Sequence, residues 1–224
     1  MPTSKRSYSF AATVLVALSC FTSEAALGGV QEDFAEGNRH NLRGDVVAAL
    51  PFYKRAAEAG HAGGQAAMGE LMRASDFTEE AIVYFRKSAL QGNADGQFGL
   101  AAMLLSGDGE AQNTPEARKY YILAANQGHV QAIDVMALAY LTGAMGIQEA
   151  EKTGPEALKW ILLAAENGHR PAMETLAKAY RSGEYALTVD TKKADEWAEK
   201  VRKLSGVQPR NKRGKRVISL EKQP

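Results

Sequence analysis

Cysteine is nearly absent from this 224-residue sequence. The one copy, Cys20, has no partner for an internal disulfide, and beyond it no thiolate exists to ligate a metal, attack a substrate or cycle between redox states. An excess of charge of one sign is also missing. The 27 Lys and Arg stand against 26 Asp and Glu, a formal net charge of +1, so no global field holds the chain on nucleic acid. No strand-like alternation of apolar and polar residues occurs, and no Walker loop, nucleophile elbow or paired His and Glu metal helix appears. These absences leave no catalytic residues, no metal site and no cofactor to assign. What is present, 45% hydrophobic and 24% charged side chains, is the composition of a globular domain.

The first 25 residues read as an export signal. Lys5 and Arg6 precede an apolar run from about Phe10 to Phe21, too short for the ~20 residues that span a bilayer, and small residues follow at Ser23, Ala25 and Ala26. Cleavage after Ala25 would release a periplasmic or secreted protein. Val16-Ala17-Leu18-Ser19-Cys20 also resembles a lipobox, in which Cys20 would be lipidated and would anchor an outer-membrane lipoprotein. Both cuts stand open on the sequence, and membrane contact follows only from the second.

Beyond residue 44 the sequence repeats. Arg55-Ala56-Ala57-Glu58-Ala59-Gly60-His61 recurs as Lys87 to Asn93, Leu123 to His129 and Leu163 to His169, with the glycines Gly60, Gly92, Gly128 and Gly168 spaced 32, 36 and 40 apart. Eight residues before each glycine stands an aromatic: Phe52, Tyr84, Tyr120, Trp160. Eleven before stands Ala49, Ala81, Ala117 or Ala157. Eight after stands Met68, Leu100, Met136 or Leu176, and fifteen after, three units carry Gly107, Gly143 and Gly183.

Offsets of three, seven and eight from the first alanine lie on one helical face, so the aromatic and the small pair predict a core-facing stripe. Glycine then ends the helix, because it takes the left-handed conformation without steric cost. A second, shorter helix is expected to follow at once and to close at the second glycine. Asp76-Phe77-Thr78-Glu79 reads as a capping box, while Thr114 before Pro115 and Gly154 before Pro155 read as helix starts. Residues 34–44 predict a shortened first helix within an N-terminal segment 26–44. Repeats then occupy 45–204, with longer loops at Gly107 to Glu110 and at Gly143 to Gly154. Ala194 and Trp197 keep the spacing of a fifth unit, but Ser205 replaces its glycine and Val201-Arg202 its small pair, as suits a capping helix.

This pattern of Ala, aromatic, Ala-Ala, Gly-His and Leu-Ala with a later Gly resembles the Sel-one-like repeat, a relative of the tetratricopeptide repeat. The resemblance implies an all-α, right-handed superhelical solenoid of antiparallel helix pairs, acting as an adaptor or scaffold for protein complexes. Exported bacterial members of the family include signalling regulators, host-interaction factors, motor parts and secretion lipoproteins. A cysteine-rich branch linked with penicillin binding and hydrolysis supplies a rival expectation, a cell-wall-directed ligand-binding protein or hydrolase. That branch pairs cysteines within its repeats, and this chain has none there.

Residues away from the core face nominate a partner-binding set on the second helices: Glu70, Arg73, Asp134, Glu174, Lys178 and Arg181. A protein segment docking on a concave surface lined by these helices is the expected partner. His61, His129 and His169 occupy one place in successive units and read as polar turn residues, since units a helix diameter apart cannot share a metal. His40 stands outside that series. The aromatics read as core, and Asp108, Glu110, Glu149 and Glu151 as loop carboxylates that lack the ligand spacing of a calcium loop. The tail 205–224 carries Arg210, Lys212, Arg213, Lys215, Arg216 and Lys222 against Glu221, a net +5 beside a net −5 for residues 26–204. It predicts a disordered basic segment able to meet an anionic envelope component, and nucleic acid is not an expected partner of an exported chain.

Overall fold

The computed structural model describes residues 29–205. The expected signal with Cys20, and the basic residues Arg210 to Lys222, lie outside the described residues. All regular structure among the described residues is helical: α1 (29–42), α2 (Val46–Glu58), α3 (Ala62–Ala74), α4 (Thr78–Leu90), α5 (Ala94–Ser106), α6 (Thr114–Asn126), α7 (Val130–Thr142), α8 (Pro155–Glu166), α9 (Arg170–Ser182) and α10 (Thr191–Leu204), with 3-10 turns at Glu149–Glu151 and Glu184–Ala186. No described helix is long and apolar enough to cross a membrane. The helices form two compact units, one running to Gln112 and the other from Asn113.

The glycine arithmetic holds residue by residue. Gly60, Gly92, Gly128 and Gly168, which follow α2, α4, α6 and α8, have φ of 83 to 93°, and Gly107, Gly143 and Gly183 cap α5, α7 and α9 in the left-handed region. The unit lacking a second glycine uses Asp76, φ 61°, one of the few side chains that tolerate that conformation.

Four local expectations need correction. The helix expected as a shortened 34–44 is full length, 29–42. The second helices are not shorter: α2 to α7 and α9 have 13 residues each, and α8 has 12. The capping box at 76–79 does not form, because Asp76 is spent on the turn and Phe77, with no side-chain bond to offer, occupies the cap of α4. At α6 the cap is Asn113, whose Oδ1 accepts from Glu116 N at 3.2 Å, so Thr114 is already helical. Gly154 does cap α8 with Pro155 first in the helix.

The small pairs Ala56-Ala57, Ser88-Ala89, Ala124-Ala125 and Ala164-Ala165 are all buried and let the next helix approach to backbone contact. A Cβ added to Gly64 of α3 would lie 2.8 Å from Ala56 Cβ, and one on Gly96 of α5 would lie 2.2 Å from Ser88 Oγ. In the first unit Tyr53, Ala49, Ala57 and Met68 form a buried cluster, against which Phe34, Leu71 and Tyr84 pack. In the second, Trp160, Ile161, Met136 and Leu176 are fully buried.

The expectation that the recurring aromatic is core fails for three of four units. Only Trp160 is fully buried, whereas Phe52, Tyr84 and Tyr120 are half-buried. The next residue, Tyr53, Phe85, Tyr121 or Ile161, takes the core place in every unit. Neighbours on a helix point about 100° apart, so both positions border the core, and rotation of the helix decides which one enters it. A basic side chain covers the aromatic instead: Arg55 over Phe52 at 4.7 Å, Lys87 over Tyr84 at 5.7 Å, Lys119 over Tyr120 at 6.0 Å and Lys159 over Trp160 at 4.1 Å.

Candidate partner-binding surface

The histidines after the glycines are more specific than polar turn residues. Each stands at the N-cap of the second helix, the place Asn93 fills in the second unit. His61 Nδ1 accepts from Gly64 N at 3.0 Å, Asn93 Oδ1 from Gly96 N at 2.9 Å, and His129 Nδ1 from Ala132 N at 3.2 Å. A ring that accepts at Nδ1 carries its proton on Nε2, and His61 Nε2 lies 2.9 Å from Gln31 Oε1. Among the described residues no group of three or more His, Cys, Asp or Glu gathers into a place for a metal ion. His40 stacks on Phe52 at 5.4 Å.

Burial holds the His61 imidazole below its ordinary value of 6.5. Its folded value is the lower one, so below about pH 6.5 the unfolded chain takes up a proton that the folded chain refuses. Stability from this cap is full above 6.5 and declines as pH falls towards the folded value. His61→Asn, copying Asn93, keeps the cap without the titration. Melting followed at pH 7.5 and 5.0 should show a smaller loss for the variant than for the parent; equal losses would remove His61 from the acid response.

The loop carboxylates are pins rather than free solvated groups. Glu110 reaches back to Arg86 of α4 at 2.6 Å, and Asp108 Oδ2 accepts from Ser106 Oγ at 2.7 Å. Glu149 pairs with Lys152 at 3.1 Å. Glu151 accepts from Gln148 N at 2.8 Å and meets Arg118 of α6 at 3.4 Å, and those bonds, the backbone one foremost, hold its carboxyl below the usual range.

The six nominated contacts fall on three helices. Glu70 and Arg73 are exposed on α3 and occupy each other as a two-bond pair, 2.6 and 3.0 Å. On α9, Glu174 is held by Arg170 at 2.8 Å and Arg181 reaches Asp195 of α10 at 2.8 Å, which ties down the terminal helix. Lys178 is exposed and makes no ion pair among the described residues. Asp134 of α7 is half-buried: its Oδ1 is enclosed without a hydrogen-bond partner, as are His169 Nδ1 and Trp160 Nε1. Burial raises its carboxyl, and the nearby His169 opposes that shift.

The described structure brings Asp134 together with residues that periodicity alone passed over. α7 lies beside α9, and residues 40 apart are equivalent on the two helices. Val130, Asp134 and Leu138 therefore match Arg170, Glu174 and Lys178. Val130 and Leu138 are about half exposed, the latter at 48%. The result is an apolar stripe bordered by a charged one. Comparing the repeats at this register would have found it, since most second helices carry Ala or a charge where α7 carries Leu138.

Stacked antiparallel helix pairs with an outward stripe of mixed chemistry define a helical-repeat solenoid. The chain belongs to the Sel1 repeat family, whose model matches residues 34–61, 66–93, 94–129, 131–169 and 171–201. Proteins of this family generally serve as scaffolds for protein–protein interaction. Among solved structures, a protective antigen of uropathogenic Escherichia coli with this repeat fold is 25% identical with a TM-score of 0.65, over 84% of this chain and 41% of that one. A Sel1 repeat protein from Oxalobacter formigenes is 24% identical with a TM-score of 0.63, over 80% of this chain and 75% of that one. A Sel1 repeat protein from Klebsiella pneumoniae is 19% identical with a TM-score of 0.54, over 82% and 90% respectively. This chain thus spans less than half of the E. coli antigen. No curated protein matches it.

Proposed function

We propose that this chain is an exported bacterial scaffold that takes a helical or extended segment of a protein partner on the α7–α9 stripe. The observation that carries the reading is the half-exposed pair Val130 and Leu138 beside the charged row of α9, apolar surface that nothing in its own unit covers. Leu138 and Val130 supply the apolar anchor, while Lys178 and the Arg170–Glu174 and Arg181–Asp195 pairs set charge and register. Little ordering cost falls on the repeat side, because a packed helix face is already formed. Export is supported by the signal-like residues 1–25 and by likeness to a protein described as a protective antigen. The basic residues Arg210 to Arg216 suit an anionic envelope component.

Leu138→Asp combined with Lys178→Glu should abolish a stoichiometric partner captured by the tagged parent, with the melting temperature unchanged because both residues are at the surface. Val83→Asp, an exposed residue of α4, should leave capture intact. Equal capture by all three would end the α7–α9 reading. Mass spectrometry of the native protein reads the export step directly: a mature N-terminus at Ala26 supports the soluble form, and a lipidated Cys20 the anchored one.

A further inference from the structure

The neighbouring helices α7 and α9 carry one acid each, at equivalent places, and only one of the two is held by a base. Glu174 of α9 is paired at 2.8 Å with Arg170, one turn earlier. On α7 that earlier place is Val130, so the same pair cannot form for Asp134. Asp134 Oδ1 is enclosed without a hydrogen-bond partner, and so is Nδ1 of the nearby His169, which means that these two atoms do not bond each other. On α3, at the same distance from the turn glycine, stands the buried Ala66.

Stability does not account for Asp134. An enclosed acceptor without a donor destabilises the fold, and alanine at that place would also favour the helix. Its surroundings point to a partner instead. Val130 and Leu138, one turn to either side, are 49% and 48% exposed, so a single negative charge stands at the middle of an apolar row about 12 Å long. Oδ1 is the enclosed oxygen, which leaves Oδ2 as the one a partner can reach. On α9, Lys178 makes no ion pair among the described residues, and it lies at the register of Leu138, one turn beyond that of Asp134. The stripe thus offers one unpaired anion and one unpaired cation a helical turn apart, framed by aliphatic side chains.

We propose, resting on the binding role given to this stripe above, that its partner segment is an amphipathic helix with Lys or Arg between two apolar residues and Asp or Glu four residues from that base. The base meets Asp134 Oδ2, the apolar residues lie on Val130 and Leu138, and the acid meets Lys178. Four helical residues rise about 6 Å, the same step that separates Val130, Asp134 and Leu138 along α7, so charges and apolar contacts fall in one register. A helix is favoured over an extended chain because it satisfies its own backbone N–H and C=O groups. The helical backbones of α7 and α9 are already bonded within themselves and offer none in exchange. Docking closes an apolar frame around the central ion pair, and a charge-assisted bond is stronger there than at an open surface. A segment with an acid at the central place would set two carboxylates together and is rejected.

The test uses the full chain as bait for a displayed library of helical peptides randomised on one face. Peptides selected on the parent should converge on a base flanked four residues to either side by apolar residues, and those selected on Asp134→Lys should carry an acid at that central place. A peptide selected on the parent should bind Asp134→Asn, which keeps the shape without the charge, at least tenfold more weakly, and should bind a Glu80→Ala control on exposed α4 within twofold. Asp134→Ala should meanwhile melt roughly 2–4 °C above the parent; a lower melting temperature would make the carboxylate structural and overturn the proposal. Peptides that lose binding to Leu138→Asp yet show no central base, or bind Asp134→Asn as well as the parent, also overturn it and leave the stripe in use. Peptides indifferent to Leu138→Asp, or none selected at all, overturn the stripe reading with it.

Discussion

Replacing Gly99 with alanine should lower the melting temperature by roughly 4–8 °C, a loss of about 2 kcal/mol at two to four degrees per kcal/mol for a chain of this size. Intrinsic helix propensity argues for the opposite sign, since alanine in a helix interior is favoured over glycine by about 0.5–1 kcal/mol. Packing decides it. A Cβ at Gly99 would lie 2.2 Å from Phe85 Cε1 and 2.3 Å from Cδ1, and Phe85 cannot retreat, because a Cβ at Gly69 on its other side would already be 2.8 Å from the same ring. The ring is buried between two glycines, one on α3 and one on α5. Gly99→Ala with Phe85→Leu should recover part of the loss, because the smaller side chain vacates the space the methyl needs. Thermal melting of the two variants beside the parent checks both statements. A Gly99→Ala protein as stable as the parent would show that α5 can shift and that the glycine is not a packing requirement.

Trp160→Ala should cost about 4 kcal/mol, the upper part of the range for deleting a buried aromatic, whereas Tyr120→Ala at the equivalent place should cost about 1 kcal/mol. Trp160 is fully enclosed between neighbouring helices, while Tyr120 keeps one face under Lys119 and open to solvent. Trp160→Phe should be far milder than Trp160→Ala: the indole Nε1 has no acceptor, so the substitution removes a buried polar group that contributes no hydrogen bond. Denaturant melts of the three variants give the comparison. Similar losses for Trp160→Ala and Tyr120→Ala would mean that the four units bury their aromatics alike in solution.

The same two residues show how far repetition carries. Recurrence at fixed offsets placed the seven turn glycines and the four small pairs correctly, because a left-handed turn and a close helix crossing each restrict the residue to one or two types. It could not say which of two adjacent positions enters the core. Phe52 and Tyr53, or Tyr84 and Phe85, have similar chemistry, and only the rotation of the helix against its neighbours separates them. The capping histidines were legible as turn residues but not as caps, since imidazole is an uncommon cap and Asn93 alone hinted at the role. The six proposed contacts were legible as outward-facing, yet four of them are spent in ion pairs, which a sequence does not display.

By itself the sequence determined the class: helix pairs, their number, their glycine-marked ends and membership of a binding scaffold family. Those features depend on local backbone sterics and on a spacing that survives in a linear string. Tertiary structure alone decided which surfaces remain for use. The apolar row of α7 and the enclosed Asp134 depend on how closely neighbouring helices pack, and such non-local contacts leave no mark on the spacing of residues along the chain.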